Sequence, residues 1–191
     1  MALTGGATVQ DLLVERARRG DRDAFAALAA RLVDPCYSLA YAILRNAELA
    51  SDAVQTAMLG AWRDLPSLRD VDKFDAWLHR LVANACYVEA RRERRWSLSV
   101  RAFPTDHPTA PDLAISVADR DELERAFRRL PPEQRAVVAL HYYLGLPLSE
   151  VAATLGIPAG TARSRLHHAT RQLRAAVEAD ARSATLSEGM R

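Results

Sequence analysis

The sequence predicts an all-α protein of two small helical domains joined by a flexible linker, the C-terminal one a helix-turn-helix. Three observations carry this. Apolar residues recur at helical spacing along most of the 191 residues, strand-type alternation is hard to find, and the helical pattern fades once, in the middle. The break is SLSVRAFPTDHPTAPDLAIS, residues 97–116, where Pro104, Pro108 and Pro111 oppose helix formation. The expected boundaries are therefore 1–96 for the first domain, with its bundle starting near residue 8, and 97–118 for the linker. Residues 119–178 form the second domain, and 179–191 read as a frayed tail.

In chain order, the first informative helix spans about 47–65 and buries Ala50, Val54, Ala57, Met58, Ala61 and Leu65. Its outer face presents Glu48, Asp52, Gln55, Leu59 and Arg63, with Trp62 at the border. A leucine among polar residues beside an edge tryptophan points to a surface that docks a protein partner, although lone exposed leucines are also common.

The next helix, about 71–95, has a core stripe of Phe74, Trp77, Leu78, Leu81, Val82, Ala85 and Cys86. Arg80, Asn84, Tyr87, Arg91 and Arg94 line its other face, and it ends in RRERR, residues 91–95. Arginines at a helix C-terminus can simply complement the macrodipole. An aligned amide and aromatic ring favour nucleic acid instead, since an amide reads a base edge and a ring stacks on an unpaired base.

After the linker, SEVAATL (149–155) reads as a short helix that Ser149 can cap, with Val151, Ala152 and Leu155 on its apolar side. Gly156 ends it, Ile157 can plug the space between two helices, and Pro158 tolerates a new helix start. GIPAGTARSRLHHATRQLR (156–174) follows, with Ala162, Leu166, Ala169 and Leu173 on one stripe. Opposite lie Ser164, His167, His168 and Arg171, flanked by Arg163, Arg165 and Arg174, with no acid to balance them. Such a face suits phosphates and base edges in a major groove. A helical hairpin with a merely solvated basic face would share this spacing.

Composition narrows the class. The formal net charge is only +2, so nucleic-acid affinity must come from local clusters, and Lys73 is the only lysine among the cations. Cys36 and Cys86 stand without CxxC or Cys/His ligand spacing, which supports neither a disulfide framework nor a zinc site. Adjacent His167 and His168 project about 100° apart on a helix and would chelate one metal poorly. No carboxylate pair, activated nucleophile or phosphate-cradling glycine loop suggests an enzyme, and no cofactor is expected. Without a signal peptide or an apolar run of spanning length, the expectation is a cytoplasmic chain without membrane insertion.

Together these segments resemble a bacterial RNA polymerase sigma factor of the extracytoplasmic-function type, in the sigma-70 family. The likeness runs from about residue 11 to 174. It rests on GDRDAFAALAARL, ASDAVQTAMLGAWRDLPSL and FDAWLHRLVANACYVEARRERR in the first domain, and on LPPEQRAVVALHYYLGLPLSEVAATLGIPAGTARSRLHHATRQLR in the second. The resemblance implies that Glu48, Asp52, Gln55, Leu59 and Trp62 grip the clamp helices of the polymerase largest subunit. It implies that Arg80, Asn84, Tyr87, Arg91, Arg94 and Arg95 hold the minus-ten promoter element, and that LPSLRDVDK (65–73) captures a base flipped from the non-template strand. Thr161, Arg163, Ser164, Arg165, His168 and Arg171 fall in the helix that reads the minus-thirty-five element. Thr56 stands where the family usually has an acid, Met58 where it usually has phenylalanine, and Leu68 where an aromatic is frequent; Ala162 replaces a customary valine and Pro147 a customary serine.

The implied partners are core RNA polymerase, promoter DNA and an anti-sigma factor. The competing expectation is a conventional helix-turn-helix regulator with a sensory or dimerising N-terminal domain.

Overall fold

The computed structural model describes the backbone of residues 8–101 and 118–188, with side chains over 8–96 and 123–179. Among the described residues every regular element is helical. The expected linker lies largely outside them. Two compact units are present, one holding the chain as far as Glu89 together with Thr154–Gly156, the other the chain from Ala90 to Ala153 and from Ile157 onward.

In the first unit, α1 (Val9–Arg18) opens on a capping box in which the Thr8 hydroxyl accepts from the Asp11 amide and the Asp11 carboxylate from the Thr8 amide. Asp21 caps α2 (Arg22–Leu44) by accepting from the Ala24 amide, while Arg16 grips its other oxygen at 2.7 Å. That backbone bond and, next, Arg16 hold the Asp21 carboxyl below its usual range. Asn46 caps α3 (Ala47–Asp64) in the same way through the Leu49 amide.

α2 packs on both α1 and α3. Its buried face is Ala24, Leu28, Cys36, Leu39, Ala40, Ile43 and Leu44, and each fully buried leucine or isoleucine stabilises the unit by about 1.5–3 kcal/mol. By length and composition α2 could cross a membrane, contrary to the expectation that no such apolar run exists. Its apolar face is instead spent on neighbouring helices, as in the core helix of a globular bundle. Pro35 falls on the exposed side, where the Arg31 carbonyl that loses its partner can turn to water.

α4 (Phe74–Arg101) differs from expectation at both ends. Residues 71–73 form a separate 3-10 turn because Asp70 accepts from the Asp72 amide and starts it afresh. At the far end the helix passes through 97–101, expected as linker, since the first proline is only at position 104.

After the linker come α5 (Ala118–Arg129), α6 (Pro132–Val138), α7 (Leu148–Leu155) and α8 (Ala159–Glu188), with α5 and α6 both packed on α8. Leu130, Val138 and Ala169 form a buried cluster covered by Phe127, Leu166 and Leu173, so the predicted stripe of α8 does face a core. After α6 the chain widens into a π-helical turn, Ala139–Tyr143, and closes with the His141 Nδ1 2.8 Å from the Leu146 carbonyl oxygen. Ser149 does not cap α7. The helix begins one residue earlier, and the Pro147 carbonyl accepts from the Glu150 and Val151 amides, leaving Ser149 inside the first turn. α8 also outruns the expected tail at 179–191, because no glycine or proline interrupts the chain between Gly160 and Gly189.

Candidate nucleic-acid and protein-docking faces

The turn between α7 and α8 sets the helix-turn-helix. Gly156 adopts φ +64°, the left-handed conformation that side chains resist. The Ile157 amide donates to the Ala152 carbonyl at 3.0 Å, the 6→1 bond of a Schellman motif. Pro158 then supplies the carbonyl that accepts from Thr161 and Ala162. Val151, Ala152 and Ala162 are buried, so small side chains sit on the inner faces of both helices.

This leaves Arg163, Ser164, His167, His168, Arg171 and Arg174 exposed on α8, whereas Thr161 and Arg165 are half-buried. Of the six residues expected to read DNA here, four are fully presented and two lie at the margin. The His167 and His168 rings meet edge to face at 5.8 Å. Among the described residues no group of three or more His, Cys, Asp or Glu could hold a metal.

On α4 the predicted core stripe is buried or half-buried, and Arg80, Asn84, Arg91, Arg94 and Arg95 are exposed. Tyr87 is half-buried with its hydroxyl enclosed, so its ring is presented less fully than the arginines around it. The length of α4 decides between the two explanations of the RRERR cluster. Arg95 lies six positions before Arg101, about 9 Å of helical rise, and the terminal dipole acts only within the last turn. These arginines are not dipole caps; they form a charged ridge along the helix body, the arrangement that suits a phosphate backbone.

Residues 65–73 connect α3 to α4 as two 3-10 turns, Leu65–Ser67 and Val71–Lys73. Each is closed by a side chain. The Ser67 hydroxyl donates to the Asp64 carbonyl at 2.6 Å, and Asp70 both caps the second turn and pairs with Lys73 at 3.1 Å. Leu68 is buried, and Arg18 Nη1 donates to its carbonyl oxygen at 3.0 Å.

The outer face of α3 is open. Glu48, Asp52, Gln55 and Thr56 are exposed, Leu59 is 65% exposed and Trp62 38%. The periodicity of one helix does not reveal the groove beside them. Phe25, Ala26 and Val33 of α2 meet Met58, Leu59 and Trp62 of α3 around an open apolar cleft of about 680 Å³. Phe25 stacks edge to face on Trp62 at 4.9 Å, fixing the indole at the rim. An apolar cleft whose polar lining is Arg22, Ser51 and Gln55 is a protein-docking surface in form. Phe25 and Val33 were missed because they lie on a different helix, and their own spacing reads as core.

Comparison with known proteins identifies the family. Residues 28–96 match the family model Sigma-70 region 2, and residues 120–173 match Sigma-70, region 4. The ECF RNA polymerase sigma factor SigM of Mycobacterium tuberculosis is 38% identical over 162 residues, 81% of this chain and 77% of its own. The ECF RNA polymerase sigma-E factor of Escherichia coli K12 is 31% identical over 83% of this chain and 88% of its own. Among solved structures, CnrH in complex with the cytosolic domain of CnrY aligns with a TM-score of 0.62 at 26% identity, covering 91% of this chain and 99% of CnrH. The fold is also shared with the sigma factor RpoE of Bartonella quintana, solved with the anti-sigma factor NepR, at a TM-score of 0.63 and 21% identity over 82% of this chain and 98% of that one. The match to region 2 disfavours a sensory N-terminal domain. On two family models, a relative at 38% identity and the helix-turn-helix itself, the chain belongs to the extracytoplasmic-function sigma factors of the sigma-70 family, a family of RNA polymerase sigma factors and not of enzymes.

Proposed function

We propose that this sigma factor divides its work among three surfaces: the outer face of α3 with its apolar groove grips core polymerase, α4 with the 65–73 segment holds and opens the minus-ten element, and α8 reads the minus-thirty-five element. In this assignment residues 1–96 are the polymerase and minus-ten domain, 97–118 the linker, and 119–178 the minus-thirty-five domain. The observation that carries it is the arginine ridge of α4, exposed along the helix body rather than at its end. Arginines on both units neutralise phosphates, giving affinity that falls steeply with salt. A few side chains choose sequence, each good bidentate contact contributing about 1–3 kcal/mol.

Strand opening demands more. Extruding a base costs a few kcal/mol, which two modest basic surfaces offset only when polymerase holds both at the required separation. The chain itself performs no catalysis and acts in the cytoplasm. An anti-sigma partner that occludes these surfaces is the expected regulator; RpoE of Bartonella quintana, of the same fold, was solved with the anti-sigma factor NepR.

The test is transcription in vitro with core polymerase on a genomic library, followed by binding to the promoter so found with and without core. The expected result is specific initiation, with weak binding by the free chain. Tight, sequence-specific binding by the free chain, or no initiation at any template, would overturn the proposal.

A further inference from the structure

The first helix is outside the matched family segment, which begins at residue 28, yet it touches the segment proposed to receive the extruded base. α1 packs against both 3-10 turns of residues 65–73. Its last residue, Arg18, donates through Nη1 to the Leu68 carbonyl oxygen at 3.0 Å. The same guanidinium is held from behind: Nη2 lies 3.1 Å from each carboxylate oxygen of Glu15, and the side chains of Arg18 and Glu15 are only 29% and 33% exposed. A second tie lies at the other end of α1, where Gln10 Nε2 donates to Asp75 Oδ1 at 2.7 Å, just past the segment.

Leu68 sits between the two turns; its amide donates to the Leu65 carbonyl at 3.0 Å, which closes the first turn, and its own carbonyl, leading into the second, takes the Arg18 guanidinium. A forked, pre-oriented guanidinium is suited to fixing it. We propose that Arg18, clamped by Glu15, is a positioning residue that holds the 65–73 segment in the conformation that receives the extruded base, so that α1 contributes to strand capture without touching DNA. This rests on the assignment of 65–73 as the capture segment. A preformed receptor avoids the entropic cost of ordering a loop at the moment of binding, and the contribution of the captured base should therefore depend on Arg18.

The experiment uses holoenzyme assembled from the full chain and core polymerase. Two short single-stranded non-template oligonucleotides bearing the minus-ten element found by transcription are compared, one intact and one abasic at the captured position. Wild type is expected to prefer the intact strand. Arg18→Met, which keeps much of the stem but no donor, is expected to lose about tenfold of that preference, the low end for a charge-assisted hydrogen bond. Affinity for core and for the abasic strand should not change. Arg18→Lys keeps a cation and its donors but loses the planar fork whose two nitrogens reach Leu68 and Glu15 separately, so an intermediate preference is expected; it decides the matter alone if the methionine variant does not fold. Full preference in a folded variant overturns the proposal. If no abasic position weakens wild type, the capture assignment itself falls and this proposal with it.

Discussion

Asp52→Arg separates the docking face from the fold. Asp52 is exposed on α3, while its neighbours Ala53 and Val54 turn into the core. Reversing its charge empties no cavity and removes no cap, so the expected stability change is within about 0.5 kcal/mol, a shift in melting temperature of no more than a few degrees. Binding should respond differently. Removing one partner of a desolvated interfacial charge pair costs about 2–5 kcal/mol, and reversal adds repulsion, which weakens core affinity by about 30-fold to 5,000-fold. The assay is equilibrium binding of the labelled chain to core polymerase, paired with a thermal melt. Leu59→Ala is the companion: at 65% exposure the side chain does little for folding, so lost affinity would report docking alone. An Asp52→Arg chain that melts normally and binds core as wild type does would refute the assignment of this face. One that melts far lower would refute the argument that the face carries no folding role.

Three further outcomes follow from local chemistry. Gly156→Ala places a side chain at φ +64°, costing about 1–2 kcal/mol; calorimetry should show a melting temperature lowered by at least about 4 °C. Arg171→Ala should reduce the slope of log affinity against log salt by about 1 for holoenzyme on duplex promoter, as expected for one lost phosphate contact; an unchanged slope with altered sequence preference would make Arg171 a base reader instead. Burial pushes the His79 imidazole below its ordinary value of 6.5, with Asp75 opposing. Between the lowered folded value and 6.5 the unfolded chain binds a proton that the folded one does not, so stability rises with pH through that window and is lost as pH falls through it. His79→Gln should flatten this limb in denaturant titrations at about pH 5.5 and about pH 7.5.

Burial also pushes the Cys36 thiol up to about 11, with Asp75 adding to the shift. Both cysteines are enclosed, Cys36 at 2% exposure and Cys86 at 0%. Iodoacetamide at about pH 8 should therefore label neither until the chain is unfolded; labelling of the native protein, read by mass spectrometry, would count against the core placement of α2 and α4.

What the sequence could reveal was decided by the range of each interaction. Ala162, Leu166, Ala169 and Leu173 announce a buried stripe because helical period is local, and the same holds for Glu48, Asp52, Gln55 and Leu59 on the outer face of α3. Gly156 was legible because left-handed backbone has a narrow residue preference. Ser149 misleads because capping depends on which carbonyl is free, and Pro147 supplies that carbonyl two residues sooner. The end of α4 was misplaced because a composition change at residue 97 resembles a linker, although nothing there opposes helix before Pro104.

The groove and the Arg18 contact were invisible for a different reason. Each joins residues distant in the chain, Phe25 to Trp62 and Arg18 to Leu68, and neither partner has an unusual local pattern. The site thus has two kinds of component. Charged ridges are written in periodicity, since a helix can expose arginines only on the side its core stripe leaves free. Receptors for a partner helix or a base are concave, need walls from separate elements, and so exist only after folding. Variants that shift one wall, such as Arg18→Met, should alter what the receptor takes while leaving the ridges as strong as before, and that split in behaviour is what the oligonucleotide comparison measures.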